Sequence, residues 1–485
     1  AKTGHYKLRL VGENESGKTF SAASDFLYEL GAPTLTSSFD SLDQKVIEFN
    51  DSQLDSNGEF LYDFNINVND PEVDEANRFS IPIDQSSNSV VSFFGGFPAN
   101  PINTDKNGNY TDQILVRSQY QPLQVQFYGL DAAKNVTADA SNMLKVVFVK
   151  DTYPYYYLKA NKQNITTGDM VNYSVRSNNI ENLKTTKISL PVQSNLATIE
   201  NVAVTDAVKQ YGDAKVTVTT EPTIFENTLQ YTFTFTYLGN KTLPEDLQLF
   251  NFDIKTLDKY TKSTPFSWHI INTTTTDQSN VETKNVYTYM EGYTTKSKVS
   301  KLDGQLQLEG TIDPSTGQID YALDQKSIDA KVTVTSHEGK TIVNAPITNK
   351  NGNYSADGLK ADNDAYTVKV DVPGHFTMYK QLVLSDEVRG ELVGKELLDA
   401  LSSAAAGDAN KDNVIDILDA LVVQTYWGTN KASADFNFDK VVDKKDLNYL
   451  IKNFGLQNRT VTNAPKAKTS YKGVTLDSIL SQLGY

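Results

Sequence analysis

Two short acidic segments near the C-terminus repeat one arrangement of oxygen-bearing side chains. Residues 408–419 and 435–446 both follow the pattern D-x-N-x-D-x-V-x-D-x-x-D. A single acidic run of this kind could be a solvated loop, but two in register point to a shared role. Alternate side chains of a strand all face one way, so these carboxylates converge only if each segment curls around an ion. Calcium takes about six to eight oxygen ligands, and the repeat therefore predicts two calcium-binding loops.

The spacing matches the loop of EF-hands, in which positions 1, 3, 5, 7, 9 and 12 supply the ligands and position 7 does so through its main-chain carbonyl. The predicted metal ligands of the first loop are Asp408, Asn410, Asp412, Val414, Asp416 and Asp419. Those of the second loop are Asp435, Asn437, Asp439, Val441, Asp443 and Asp446.

A helix is predicted after each loop. Residues 419–428 and 446–455 are rich in apolar side chains, and both end at a glycine, a residue that favours helix C-termini. This duplicated loop and helix, with Asp rather than Glu at position 12, resembles a type I dockerin over residues 407–455. The resemblance implies a small all-α module that two Ca²⁺ ions fold. It also implies docking onto a cohesin-like domain, in the same chain or in another copy.

One loop position departs from the family pattern. Position 6, where EF-hand loops favour glycine, is Asn413 in the first loop and Lys440 in the second. Asparagine adopts the left-handed backbone conformation readily, whereas for lysine it costs on the order of 1 kcal/mol. We therefore expect the second calcium site to be the weaker one.

Composition limits the classes of function. The chain has 485 residues, which is enough for several domains, and a formal net charge of -15, which argues against nucleic acid as a partner. It contains no cysteine, so no disulfide braces it and no thiol chemistry is available. A Tyr-rich β protein of this kind is typical of the extracellular space or cell surface of a Gram-positive bacterium. No apolar run is long enough for a membrane span.

The remaining sequence predicts a mostly β fold, a string of β-sandwich domains followed by the small all-α dockerin with its two EF-hand-like calcium loops. Tyr6, Leu8 and Leu10 alternate with charged residues, the pattern of a half-buried strand. Residues 1–31 resemble the last strands of a fibronectin type III-like domain. The chain is therefore expected to be the C-terminal part of a larger protein. Residues 32–151 are predicted to form a β-sandwich.

A second sandwich is predicted over residues 152–280. Aromatic residues and threonines alternate without a break over residues 229–237, which is typical of a strand with one buried face. Residues 165–183 are similar to the opening of a cohesin, and an unspecified immunoglobulin-like sandwich is the alternative. A polar linker is expected at residues 277–285.

The C-terminal third is predicted to hold three segments. Residues 286–388 resemble the carboxypeptidase regulatory-like, transthyretin-type sandwich, and residues 389–458 are assigned to the dockerin, with a short helix over residues 391–406. Residues 459–485 are expected to form a tail with a short amphipathic helix. Its apolar residues at helical spacing are Leu476, Ile479, Leu480 and Leu483.

No catalytic residues are predicted. The four histidines, at positions 5, 269, 337 and 375, are scattered over three of the predicted domains and have no metal-ligand spacing. No motif for an activated nucleophile is present. Aromatic residues such as those at 153–157, Trp268 and Trp427 could stack on sugars, but in β-rich domains aromatic side chains more often form the core.

The domain string resembles the C-terminal accessory region of large subtilisin-like serine peptidases of Gram-positive bacteria. This resemblance implies a non-catalytic, calcium-binding assembly region, with the catalytic domain upstream of it. The alternative is a carbohydrate-binding or cellulosome-type scaffold or adhesin. An enzyme in its own right would need a catalytic site that the sequence does not reveal.

In dockerins, loop positions 10 and 11 and the following helix face the cohesin. In this chain the first repeat has Ile417 and Leu418 at these positions, and the second has Lys444 and Lys445. We expect the first repeat to supply an apolar contact surface that also includes Leu421 and Trp427, because binding hot spots favour large apolar anchors. The alternative is that these residues meet another domain of the same chain.

Overall fold

The computed structural model describes residues 4–13, 18–29, 31–70, 78–80, 92–93, 102–117, 122–131, 143–261, 271–312, 317–318, 320, 322–400 and 404–485. It divides into two compact units, residues 1–297 with 387–391 and residues 298–386 with 392–485. Strands dominate the described chain, and its longer helices lie near the C-terminus. The predicted fold class is therefore confirmed. No helix among the described residues is both long enough and apolar enough to cross a membrane.

The first unit begins with an antiparallel ribbon of two strands, β1 (Gly4–Glu13) and β2 (Thr19–Tyr28). The rings of Tyr6 and Phe26 stack across it at 5.7 Å. Leu8 and Leu10 are 56% and 67% exposed, so the strand is not half-buried as its alternation predicted. Alternation defines a face of a strand, but only a second layer of structure buries that face.

A two-sheet sandwich follows, with sheet orders β4-β11-β10-β6-β8 and β3-β5-β9-β7. Its core includes the fully buried rings of Phe39, Phe64 and Phe127. Short 3-10 helices span Ser38–Ser41 and Asp51–Gln53. The strands are β3 (Thr34–Ser37), β4 (Val46–Phe49), β5 (Glu59–Asn69), β6 (Arg78–Ser80), β7 (Ser92–Phe93), β8 (Ile102–Asn103), β9 (Asn109–Arg117), β10 (Leu123–Leu130) and β11 (Met143–Lys150).

The second sandwich pairs sheet β16-β19-β14-β12-β22 with sheet β17-β18-β15-β20-β21. Strand β18 buries its aromatic side chains and leaves its threonines half-exposed, as the alternation predicted. The elements are β12 (Tyr155–Ala160), β13 (Asn164–Thr166), β14 (Met170–Asn178), β15 (Leu183–Gln193), β16 (Ala197–Val204), α1 (Asp206–Lys209), β17 (Ala214–Pro222), β18 (Thr228–Tyr237), β19 (Leu247–Thr256), β20 (Asn272–Asp277), β21 (Glu282–Lys284), β22 (Tyr287–Met290) and β23 (Thr294–Lys296).

The end of this sandwich differs from the boundary predicted at residue 280. Strand β21 pairs with β20, and β22 and β23 pair in parallel with β12 and β13. Residues 282–296 therefore belong to the second sandwich, and residues 277–285 are not a free linker. The sequence does not reveal this because strands of three or four residues are too short to show a clear pattern, and they form by pairing with strands distant in the chain.

The second unit contains the third sandwich, with sheet orders β27-β24-β32 and β26-β25-β28-β29. Two 3-10 helices span Glu309–Thr311 and Gln325–Ser327. The strands are β24 (Val299–Gln305), β25 (Lys331–Thr335), β26 (Thr341–Ala345), β27 (Asn353–Lys360), β28 (Tyr366–Asp371), β29 (Met378–Leu382) and β32 (Glu396–Ala400). Strands β30 (Asp386–Val388) and β31 (Glu391–Val393) form a separate two-stranded sheet.

The helix predicted over residues 391–406 is wrong. Strand β32 runs parallel to β24, with Leu302 opposite Leu397. This segment, which the sequence assigned to the dockerin, is an edge strand of the third sandwich. The residues of this run are good helix formers, but propensity is a weak preference that tertiary context overrides, and here the open edge of β24 supplies main-chain hydrogen bonds to an extended partner.

The C-terminal region contains α2 (Ile417–Thr425), α3 (Lys444–Asn453), the short strands β33 (Ser470–Tyr471) and β34 (Val474–Thr475), and α4 (Leu476–Gln482). One apolar cluster joins the three helices, and its fully buried members include Ala420, Leu447 and Ile479. The predicted amphipathic helix of the tail is therefore present, and it packs on the helices that follow the acidic loops.

Candidate metal centre

The last two ligand positions of each loop are placed by the start of a helix. Asp416 is the N-cap of α2 and accepts a hydrogen bond from the N–H of Leu418 at 2.7 Å, while Oδ2 of Asp419 accepts from the N–H of Asp416 at 2.8 Å. Asp443 and Asp446 form the same reciprocal pair at the start of α3, at 2.7 and 2.9 Å. Positions 9 and 12 are thus the N-cap and third residue of a capping box.

Hydrogen bonds to the carboxylate at the first ligand position hold each loop in a turn. The carboxylate of Asp408 accepts from the N–H groups of Asp412 at 3.0 Å and Asn413 at 3.2 Å.

The second loop repeats this arrangement. Asp435 accepts from Asp439 at 3.2 Å and Lys440 at 2.8 Å. The equivalent residues lie 27 positions apart, as 408 and 435 do, so both loops form the same turn.

Two residues in each loop adopt the left-handed conformation. At position 6, φ is +70° for both Asn413 and Lys440, and at position 4 it is +62° for Lys411 and +60° for Phe438. The family pattern predicts the positive φ at position 6. Nothing in the sequence predicts one at position 4, because neither lysine nor phenylalanine favours a positive φ.

Burial, with a smaller contribution from mutual repulsion, raises the pKa values of the carboxyl groups at positions 1 and 12 of each loop. Burial is the larger cause, and it raises the pKa of Asp408 to about 6, of Asp419 to about 7 and of Asp446 to about 6. Asp408 and Asp412 add a like-charge effect on Asp419. A divalent cation offsets such repulsion. The all-oxygen donor set also fits a hard ion such as calcium, so the residues fit the metal that the pattern predicts.

The two loops differ at position 11. Nζ of Lys445 lies 2.7 Å from Oδ2 of Asp439, a predicted ligand. Although burial opposes it, hydrogen bonds from Lys445 and Asn437 lower the pKa of Asp439. The first loop has Leu418 at this position. A lysine that competes for a ligand adds to the expectation that the second site is the weaker.

The predicted contact residues of the first repeat lie in or against the apolar cluster. Ile417 is fully buried, and Leu418, Leu421 and Trp427 pack against the cluster as half-buried side chains. Helix α4 supplies Ile479 to the same cluster. Part of each of these side chains therefore contributes to the packing of the C-terminal region itself.

Lys444 and Lys445 are both exposed. Nζ of Lys444 donates to the carbonyl of Gly484 at 2.8 Å and lies over the ring of Tyr485 at 5.9 Å. The tail therefore also reaches the start of α3.

Two further groups of acidic residues were not anticipated from the sequence. Glu29, Asp70 and Asp131 are all buried, and each offers a ligand atom within 4.8 Å of the others. His337, Asp362 and Asp364 form a more exposed group. The members of the first group are about 40 residues or more apart, and His337 is 25 residues from Asp362, so no local motif reveals either group.

The aromatic residues considered as sugar platforms are largely core residues. Tyr155, Tyr156 and Tyr157 are at most 2% exposed. Tyr157 stacks on Tyr289 at 4.9 Å, in a cluster between the first and second sandwiches. Trp268 and His269 lie outside the described residues.

Residues 406–455 match the family model described as dockerin type I domain. No curated protein matches the chain. Among solved structures, the fold is similar to a type II cohesin, A11, from Bacteroides cellulosolvens, at 11% identity over 29% of this chain and 99% of that chain, with a TM-score of 0.22.

Two other solved structures show comparable similarity. A chain of a type I cohesin–dockerin complex from Clostridium thermocellum gives 11% identity over 30% of this chain and 93% of that chain, with a TM-score of 0.22. CaCohA2 from Clostridium acetobutylicum gives 14% identity over 30% of this chain and 92% of that chain, with a TM-score of 0.22. The family match assigns residues 406–455 to a type I dockerin domain, a kind of module that generally binds calcium and typically occurs in extracellular or cell-surface proteins.

Proposed function

We propose that this chain is a non-catalytic docking and assembly region of a secreted or cell-surface multidomain bacterial protein. Its dockerin domain binds two calcium ions and docks onto a cohesin-like domain, in the same chain or in another copy. The observation that carries the proposal is the identity of the two loops. They carry the same donor types at all six ligand positions, and the same hydrogen bonds form each turn.

Calcium would supply positive charge that holds the loop carboxylates together. Asp408, Asp412 and Asp419 would provide side-chain ligands in the first loop, Asn410 an amide oxygen and Val414 a main-chain carbonyl. The second loop would use the residues 27 positions further on. Since each capping box ties positions 9 and 12 to a helix, closing a loop also orders the start of α2 or α3. The ordered helices would then present the docking surface.

Calorimetric calcium titration of the full chain, first stripped with chelator, tests the metal sites. We expect two equivalents of calcium, and one equivalent each for Asp419→Ala and Asp446→Ala. Asp329→Ala, which changes an exposed acid of the third sandwich, is the matched control and should retain two. No binding heat in the parent chain would refute the proposal.

Docking is tested by passing the full chain over immobilised cohesin domains of several types, with calcium and with chelator. We expect calcium-dependent retention on at least one cohesin, or a calcium-dependent dimer of the chain itself by light scattering. Retention that is indifferent to chelator, or a monomer that binds none of them, would refute cohesin docking while leaving the calcium sites intact.

The proposal extends to the larger protein. The domain string resembles the accessory region of subtilisin-like serine peptidases of Gram-positive bacteria, and peptidase activity in the longer protein but not in this chain would support that origin. A cellulosome-type scaffold is also compatible with a dockerin. Retention of the chain on insoluble polysaccharide would favour that alternative. The burial of Tyr155, Tyr156 and Tyr157 counts against it, because buried rings cannot stack on a sugar.

A further inference from the structure

One turn of the third sandwich contacts both acidic loops. This turn, which we call the clamp turn, comprises residues 371–375 and begins at the last residue of β28. The two loop residues that meet it are Lys411 and Phe438, which occupy position 4 of their loops and have left-handed backbones. They sit between ligand positions 3 and 5, so their placement sets the direction of both neighbouring ligands.

Three oxygen atoms of the clamp turn surround the ammonium group of Lys411. Its Nζ donates to the carbonyls of Val372 at 2.9 Å and His375 at 2.8 Å, and it lies 2.8 Å from Oδ1 of Asp371. The side chain is thus anchored at its tip. Bonding to a charged group makes these hydrogen bonds stronger than neutral ones.

Phe438 meets the same turn through its ring. The ring stacks on that of His375, with centroids 5.2 Å apart and planes 6° from parallel. Two residues earlier, the fully buried Phe436 covers Gly374, where a Cβ would lie 2.7 Å from Cδ1 of the ring. Gly374 has a φ of +73°, so both its conformation and its lack of a side chain allow this approach.

The clamp turn is itself held in place. His375 is fully buried, its Nε2 accepts from the N–H of Gly310 at 3.4 Å, and its main chain bridges to Ala406. Glu309 accepts from the N–H of Ala406 at 3.0 Å. The turn is therefore a fixed surface on which both loops rest.

We infer that the clamp turn is a positioning element shared by the two calcium loops, which raises their calcium affinity and couples binding at one loop to binding at the other. The inference rests on the proposed function. A loop held in its bound conformation loses less conformational freedom when metal binds. A loop that tightens on the shared turn stabilises the surface on which the other loop lies, and such coupling is necessarily reciprocal.

The first test compares two glycine substitutions in calcium titrations of the full chain. Gly374→Ala places a methyl group against Phe436, although it lies outside the dockerin loops. Gly339→Ala is the matched control, because Gly339 also has a positive φ, +79°, but has nothing within 4 Å of a Cβ. We expect Gly374→Ala to weaken calcium binding about fivefold or more, and Gly339→Ala to titrate like the parent chain. Equal titrations of the two variants would overturn the inference.

A second pair of variants tests the inference independently, in case Gly374→Ala does not fold. Lys411→Met removes the bonds to the clamp turn but no metal ligand, and Lys431→Met changes an exposed lysine that lies over Tyr426. Calcium affinity of the second loop is measured in chains whose first loop is silenced by Asp408→Ala and in chains where it is intact. Silencing should weaken the second loop in the Lys431→Met background and leave it unchanged with Lys411→Met. The same effect in both backgrounds, or none in either, would overturn the inference.

Hydrogen exchange supplies a readout that does not depend on affinity. Amides of residues 366–377 should exchange more slowly with calcium than with chelator in the parent chain, and this difference should shrink with Lys411→Met. Identical exchange with and without calcium would overturn the coupling. If the parent chain binds two calcium ions independently, this inference is wrong but the proposed function stands. If the parent chain binds no calcium, the proposed function itself is wrong.

Discussion

The main-chain N–H of Lys468 donates to Oδ2 of Asp416 at 2.8 Å. The carbonyl of Lys468 in turn accepts from the N–H of Ile417 at 3.2 Å. A residue of the tail is thereby tied to a predicted calcium ligand and to the first residue of α2. Since α4 also buries Ile479 in the cluster that contains α2, the tail is a structural part of the first repeat.

Ile479→Ala should loosen the tail and the helix beneath it. Truncation of a fully buried isoleucine costs about 2–5 kcal/mol, because it removes apolar contacts and leaves a cavity. We expect faster amide exchange in α4 and α2, measured by mass spectrometry on the full chain. Ser481→Ala, an exposed position of the same helix, is the control. Protection of α2 that is the same in both variants would contradict a bracing role for the tail.

Lys440→Gly should strengthen the second calcium site. Lysine at a φ of +70° carries a strain of about 1–2 kcal/mol, partly offset by the greater freedom of an unfolded glycine. We expect calcium affinity to rise by about twofold to fivefold by calorimetry.

Asn413→Gly provides the comparison in the first loop. Asparagine tolerates this conformation, and Oδ1 of Asn413 accepts from Nδ2 of Asn458 at 3.0 Å. We therefore expect unchanged or weaker binding for Asn413→Gly. A decrease for Lys440→Gly would show that the lysine side chain favours the bound loop.

Acid should destabilise the second unit through His375. Burial, aided by the charge of Lys411, lowers the pKa of His375 to about 4 from an ordinary value of 6.5. The folded chain thus prefers neutral imidazole. The resulting stability is complete above pH 6.5 and is lost as the pH falls towards 4, by roughly 3 kcal/mol in total.

The pH effect is measured by denaturant unfolding at saturating calcium between pH 7 and 4. His375→Gln cannot titrate, so its unfolding free energy should fall less steeply than that of the parent chain across this range. The slopes are compared rather than the absolute stabilities, because glutamine packs differently against Phe438. Parallel pH profiles would contradict the assignment.

Tyr157→Phe should weaken the junction between the first two sandwiches. The hydroxyl of Tyr157 donates to Oε1 of Glu291 at 2.5 Å and accepts from the N–H of Lys45 at 2.8 Å. Its removal leaves buried partners unbonded, which costs about 1–3 kcal/mol. Faster exchange of β4 and β12 is the expected result, with Tyr211→Phe in the second sandwich as control. No change in either strand would show that the hydroxyl is dispensable.

Local pattern was enough to predict several elements. The helices that follow the two acidic loops, the strand around Phe233 and the helix carrying Ile479 all follow from side chains a few residues apart. Spacing of this kind sets which groups share a face, and the acidic pattern needed only the curled loop to become a set of converging oxygens.

The sequence by itself therefore determined the two predicted ligand sets and the mainly β character of the chain. The tertiary structure decided that Leu397 lies in an edge strand rather than a helix, that Ile417 is buried beneath the tail, and that Lys411 and Phe438 rest on one turn. The physical reason is that each of these outcomes depends on which surface a segment meets, and that surface is supplied by residues distant in the chain.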